Sequence, residues 1–163
     1  SKSSWFDHHL SHRHLCCCTA QQRIKTERTM KPCVFCKIIK GTLPCFKIYE
    51  DKETLAFLDK HPINSGHILV IPKKHIPHFV NLKSKLYQHC MLVTHKLAKK
   101  VNKSMNPKRV GLAIAGFDVP HTHIHIIPLR HHNDITSKSL LEGKISNPKA
   151  KELEQILKKL KKK

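Results

Sequence analysis

The run "VPHTHIHIIP" sets His121, His123 and His125 at alternate positions. Neutral imidazole is abundant near neutral pH, because its ordinary pKa is about 6.5. It attacks phosphorus without a separate base, and the P–N bond it forms is labile because protonated imidazole leaves readily. A central histidine with a flanking partner therefore suits two-step nucleotidyl transfer. The alternation predicts a β-strand over 121–129, with the three imidazoles on one face and Thr122, Ile124 and Ile126 on the other. Three large polar groups on one face are costly if buried unpaired, so a generic core strand has no use for them. On a regular strand rising about 3.3 Å per residue, His121 and His125 stand ~13 Å apart, too far to share a metal easily. Adjacent members, ~6–7 Å apart, could share one, so the three need not do the same job.

A second group of chemical residues lies near the start of the ordered pattern. Cys33 and Cys36 form a C-x-x-C pair, which supplies two thiolates and needs two more ligands to close a tetrahedral zinc site. His75, in "IPKKHIP" just past a predicted strand, and one histidine of the triad are the candidates. A closed Cys2His2 set leaves no position for water, so such a zinc is structural. A redox role for the pair lacks a thioredoxin-like βαβ context. A different reading puts His121 and His123 on one open, hydrolytic zinc.

The elements that must position these groups follow from periodicity. "CVFCKIIKG" reads as a short helix ending at Gly41. Strands follow near 45–50, at 54–59 and at 67–72, with the turn-rich "KHPINSG" between the last two. A long helix over 81–104 carries Leu82, Leu86, Cys90, Val93, Leu97 and Val101 on one stripe. Strands over 108–116 and 121–129 complete the pattern. Five strands, a long helix and short flanking helices, joined by short connections, predict an α+β fold with one antiparallel sheet. At the C-terminus, Leu153, Ile156, Leu157 and Leu160 recur at helical spacing before a lysine-rich end.

Three regions emerge: a leader or added segment over 1–29, disordered by composition; a domain over 30–132; and a lysine-rich helical extension over 133–163. The leader holds the sole tryptophan, four histidines and a cysteine triplet, without a sustained period. No run approaches the roughly 20 apolar residues of a membrane span, so no membrane partner is expected. The 7 cysteines show no disulfide-like rhythm and fit a reducing compartment, hence a cytoplasmic location. The formal net charge of +20, from 31 Lys+Arg against 11 Asp+Glu, suits anionic partners such as phosphates, nucleotides or nucleic acid. The basic tail has neither aromatic residues for base stacking nor a readable recognition motif, so nucleic-acid binding is expected to be weak.

The segments "CVFCKIIKGTLPCFKIYED", "TLAFLDKHPINSGHILVIPKKHI" and "AGFDVPHTHIHIIPLR" together resemble the histidine triad (HIT) superfamily over roughly 33–130. The similarity is greatest to its bacterial-type, zinc-retaining nucleotide-binding branch. The resemblance implies the compact α+β HIT fold and a homodimer whose sheets join across the interface. It also implies hydrolysis or transfer at the α-phosphate of a purine nucleotide or its conjugate. It makes His123 the nucleophile, sets His125 beside the phosphate, and has His67 support the triad from the neighbouring strand. It assigns His121 to a structural zinc with Cys33, Cys36 and His75. For the nucleoside it implies an apolar wall from Phe57, with Leu43 and Lys60 nearby and Asp59 accepting from the ribose. Core packing for Phe57 and a turn role for Asp59 are the plainer alternatives.

Gly116-Phe117-Asp118 departs from the Gly-Gln-Ser or Gly-Gln-Thr common in that family before the triad. Asp118 therefore stands where a hydroxyl is usual, and could orient a histidine or bind a leaving group. Two alternatives stay beside the enzymatic reading. One is a nucleotide-binding or interaction protein with little turnover. The other is an enzyme on nucleic-acid ends, like the DNA-deadenylating aprataxin branch of the superfamily.

Overall fold

The computed structural model describes residues 33–136 and 147–162. The predicted leader and residues 137–146 of the extension lie outside them. The described chain is α+β, as its periodicity requires. Its elements run α1 (Val34–Ile39), β1 (Lys47–Glu50), β2 (Thr54–Leu58), β3 (Ile68–Pro72), a 3-10 turn (Phe79–Asn81), α2 (Ser84–Met105), β4 (Arg109–Ala113), β5 (Ile124–Leu129), α3 (Asn133–Thr136) and α4 (Ala150–Lys161). The five strands form one antiparallel sheet in the order β1-β2-β3-β5-β4. Among the described residues no helix is long and apolar enough to cross a membrane.

Alternate side chains divide the sheet into two buried faces. Ala56, Leu58, Ile68, Val70, Ile124 and Ile126 pack under Cys90, Val93, Leu97 and Val101 of α2. Leu153, Ile156 and Leu160 of α4 extend the same core, so the C-terminal stripe is part of the fold. Glu152 in the first turn of α4 and Lys158, Lys159 and Lys161 in its last complement the helix dipole. On the other face Leu55, Phe57, Leu69 and Ile71 pack with Phe35 of α1. His125 is paired with Leu69 across the ladder, so it belongs to this second face.

The long helix starts three residues later than its stripe suggests. Residues 79–81 form the 3-10 turn instead, and Leu82 lies outside α2. Asn106 ends α2 in the left-handed region, with φ 45° and its N–H on the Asn102 carbonyl. Asparagine tolerates that conformation, and Pro107 stops the helix from continuing. The β1–β2 turn is organised by Asp51, whose Oδ1 accepts from the amides of Glu53 and Thr54 and from the Thr54 hydroxyl. Its Oδ2 accepts from the Tyr49 hydroxyl at 2.8 Å and meets His89 Nε2 of α2, also at 2.8 Å. These bonds outweigh burial and hold the Asp51 carboxyl well below the usual carboxylate range.

The largest difference from expectation is at the triad. β5 begins at Ile124, so His121 and His123 precede the strand instead of alternating along it. Val70 pairs with Ile124, and that register, carried two residues on, would set Pro72 against Thr122. Proline has no N–H to give a ladder, so the pairing stops. Thr122 is held instead by the loop after β3, its amide and hydroxyl both donating to the Ile76 carbonyl at 2.7 and 2.8 Å.

Candidate active site

Leaving the strand early lets the three histidines turn to different partners. His121 is fully buried, and its Nε2–H donates to the Pro72 carbonyl at 2.9 Å. That bond leaves Nδ1 without a proton, as a metal ligand requires. Nδ1 lies 3.3 Å from His75 Nδ1, 3.5 Å from Cys33 Sγ and 3.7 Å from Cys36 Sγ. Cys36 Sγ is in turn 3.3 Å from His75 Nδ1. Ligands about 2.0–2.3 Å from a tetrahedral zinc stand roughly 3.3–3.8 Å from one another. The four donor atoms, all within 4.8 Å of each other, thus fit a metal ion at their centre. Burial and the neighbouring Cys33 thiol push the Cys36 thiol up, so Cys36 favours the protonated form until a cation offsets the thiolate charge. Residues 88 apart in sequence meet here, joining α1 to the triad segment and to the loop after β3.

His123 takes a different orientation. Its Nδ1–H donates to the carbonyl of His121 at 2.6 Å, which leaves the Nε2 lone pair bare. The ring is 7% exposed and lies edge-on to Phe35 at 5.1 Å and to His125 at 4.9 Å. Phe35 also stands edge-on to His121 and to Phe57, each at 5.8 Å. One buried ring therefore ties the thiolate-bearing helix to both groups of histidines.

A proton-ordered chain reaches His125 from the β2–β3 loop. The Ile63 amide donates to His67 Nδ1 at 3.2 Å, which puts the His67 proton on Nε2. That Nε2–H donates to His125 Nδ1 at 2.9 Å, so His125 carries its own proton on Nε2. Asp59 Oδ2 lies 3.5 Å from His67 Nδ1, and Asp59 Oδ1 accepts from the His61 amide. The pair His123 and His125 thus offers a bare nitrogen beside an N–H donor, a nucleophile next to a group that can bind a phosphoryl oxygen.

The structure therefore gathers Cys33, Cys36, His75 and His121 in one cluster, and Asp59, His67, His123 and His125 in a second. Phe57 is 4% exposed among Leu55, Leu69 and Ile71, which makes it a core residue on the site's face of the sheet. Leu43 is half-buried just after α1, with its amide on the Lys37 carbonyl, and Lys60 is exposed at the end of β2. Asp118 is exposed in the loop before the triad and makes no hydrogen bond or ion pair with another described residue. Among the described residues no hydrogen bond or ion pair joins these last three to the site histidines. Phe35, Pro72 and Ile76 were not singled out from sequence. Pro72 alone carried a signal, a proline ending an apolar run.

Burial lowers the pKa of both supporting histidines. In His67 the positive form is disfavoured by desolvation and by His123, against the pull of Asp59. His125 is brought down to about 4 by burial, then by His67 and His123. In the unfolded chain both protonate near the ordinary 6.5. As pH falls from 6.5 towards about 4, the unfolded chain binds protons that the folded chain refuses, so stability falls through that window. We expect His125 to account for a loss of about 3 kcal/mol. Urea midpoints measured across this range should fall less steeply in His125→Asn; an identical slope would disprove the assignment.

Comparison with known proteins agrees with this geometry. The HIT domain family matches residues 40–132. An uncharacterized HIT-like protein of Borreliella burgdorferi is 43% identical over 64% of this chain and 80% of its own. The adenosine 5'-monophosphoramidase of Schizosaccharomyces pombe is 42% identical over 59% of this chain and 73% of its own. A Zn-bound histidine triad family protein from Mycobacterium smegmatis superposes with a TM-score of 0.66 at 27% identity, over 79% of this chain and 93% of that one. The five-stranded antiparallel sheet, the histidine cluster and these matches lead to one assignment: the chain belongs to the HIT domain family.

Proposed function

We propose that the protein is a nucleotide-binding hydrolase or nucleotidyl transferase acting at the α-phosphate of purine nucleotide conjugates, through a covalent nucleotidyl-histidine at His123. The observation that carries this reading is the tautomer of His123. Its Nδ1–H is committed to the His121 carbonyl, so Nε2 holds a free lone pair beside His125. Nε2 attacks the phosphorus, the P–N bond forms, and the bond to the leaving group breaks with its electron pair. His125 Nε2–H, set by His67, donates to a non-bridging oxygen and stabilises the developing charge. Water then attacks phosphorus, the P–N bond breaks back to Nε2, and the water proton passes to solvent. Asp59 Oδ2 offers an acceptor to the ribose, while Phe57 and Leu43 supply apolar surface for the base, with Lys60 nearby. Asp118 stands in the loop entering the triad as a group for the leaving moiety.

Zinc suits the Cys2His2 donor set best, because two thiolates and two imidazoles in tetrahedral array match its preference. Cys33, Cys36, His75 and His121 would hold it, and when bound it supplies structure with no open coordination position. His123 points to a different partner and has its Nδ1 occupied, which disfavours the open-zinc reading. A homodimer is supported by β4, an edge strand whose Leu112 is 45% exposed.

Incubation with an adenosine 5'-phosphoramidate tests the function. We expect release of AMP and, on rapid quenching, an intact-mass adduct of one adenylyl group. Nucleotide binding without AMP release or adduct would instead establish the non-enzymatic, nucleotide-binding alternative.

A further inference from the structure

The loop 59–67 carries Asp59 at one end and His67 at the other, yet on the β5 side the sheet does not hold its far end. The β3–β5 ladder runs from Val70↔Ile124 to Ile68↔Ile126, so His67 lies one residue beyond the last rung. β5 itself continues to Leu129. Past that rung the side chain of Asn64 replaces a strand, its Nδ2 donating to the Pro128 carbonyl at 2.9 Å. The same amide donates to Asp134 Oδ2 at 2.8 Å. That oxygen also accepts from the amides of Arg130 at 2.6 Å and His131 at 2.9 Å. Burial alone would raise the Asp134 carboxyl, but these donors outweigh it and keep it below the ordinary range.

The loop is closed on His67 from inside as well. The Asn64 carbonyl accepts from the His67 amide at 3.1 Å, and the Ile63 amide donates to the His67 ring. The His67 carbonyl accepts from the Asp59 amide at 3.0 Å. Gly66, with φ +92°, completes the turn where a Cβ would lie 2.9 Å from Met105 Cγ. The backbone N–H that orients the His67 ring, that of Ile63, therefore comes from the residue next to Asn64, which is tied to β5 and Asp134.

We propose that Asn64 and Asp134 are positioning residues, a clamp that locks loop 59–67 to the end of β5 and thereby sets which nitrogen of His67, and hence of His125, carries the proton. This rests on the phosphoryl-transfer reading for its effect on rate, though not for its effect on the tautomers. Released from the clamp, Ile63 no longer holds its N–H on His67 Nδ1. His67 then populates both tautomers, and in the wrong one His125 presents no proton to a phosphoryl oxygen.

The test combines kinetics with imidazole 15N chemical shifts. Asn64→Ala should lower kcat for an adenosine phosphoramidate about tenfold or more, with a smaller change in KM. Asp134→Asn, which keeps an acceptor, should lose less than Asp134→Ala. In a His67→Ala background the same substitutions should change kcat little, because their effect passes through His67. Equal losses in both backgrounds would mean a general structural role and overturn the proposal. The 15N shifts should show His67 and His125 protonated at Nε2 in the wild type and mixed in Asn64→Ala. Unchanged shifts would also overturn the proposal. If the wild type shows no turnover, the proposed function fails while the shifts still decide the clamp. Asp134→Ala serves for both readouts if Asn64→Ala does not fold.

Discussion

His123→Ala is expected to lower kcat/KM for an adenosine phosphoramidate by about 10⁴-fold, while nucleotide binding stays within a small factor of the wild type. The size follows from what is removed. In the proposed mechanism Nε2 of His123 is the nucleophile, and no neighbour can replace it. His125 Nδ1 is engaged by His67, and its Nε2 is protonated. His121 is turned away, with Nε2 on Pro72 and Nδ1 in the thiolate cluster. The cost to folding is far smaller, about 1 kcal/mol for one imidazole–carbonyl hydrogen bond, plus the packing lost against Phe35. His123→Gly with added imidazole should recover part of the rate, since the space left is lined by Phe35 and His125. Most of the turnover surviving in His123→Ala would rule out the covalent route.

The second large effect concerns stability. Zinc should be present at about one ion per chain, and Cys36→Ser should lower the melting temperature by roughly 10 °C or more. α1 has six residues and one fully buried side chain, Phe35, which is too little to hold a helix by itself. The four donors join it to the triad segment and to the loop after β3. Losing that cross-link frees Phe35, whose ring backs both His121 and His123. Turnover should therefore fall mainly through loss of folded protein, and zinc returned to chelated wild type should restore both. Cys45→Ser is the control, because Cys45 lies outside the donor cluster and should leave the zinc content unchanged. A metal-free preparation with wild-type melting would refute the assignment.

Much of this protein is legible without coordinates, because local chemistry and period carry it. The 3.6-residue stripe of α2, the apolar runs of β2 and β3 and the amphipathic α4 bury most of the residues their patterns imply. The thiolate pair and the triad declare themselves through residue types too reactive or too polar for ordinary positions. Counting ligands shows that the thiolate pair needs two more donors, and His75, a candidate by its position, lies beside it.

Tertiary structure decided what depends on partners distant in sequence or on backbone atoms that have no sequence signature. The alternation of His121, His123 and His125 predicts one shared face, yet Pro72, which has no N–H, ends the ladder before it reaches Thr122. The three imidazoles then turn to three different sets of partners. Their orientations are set by the carbonyls of Pro72 and His121 and by the amide of Ile63. Any residue presents a carbonyl, so no residue type could announce these bonds. Asn64 and Asp134 are 70 positions apart and each reads as an ordinary turn residue. Only the end of β5, running past its partner strand, gives them an unpaired carbonyl and two free amides to satisfy.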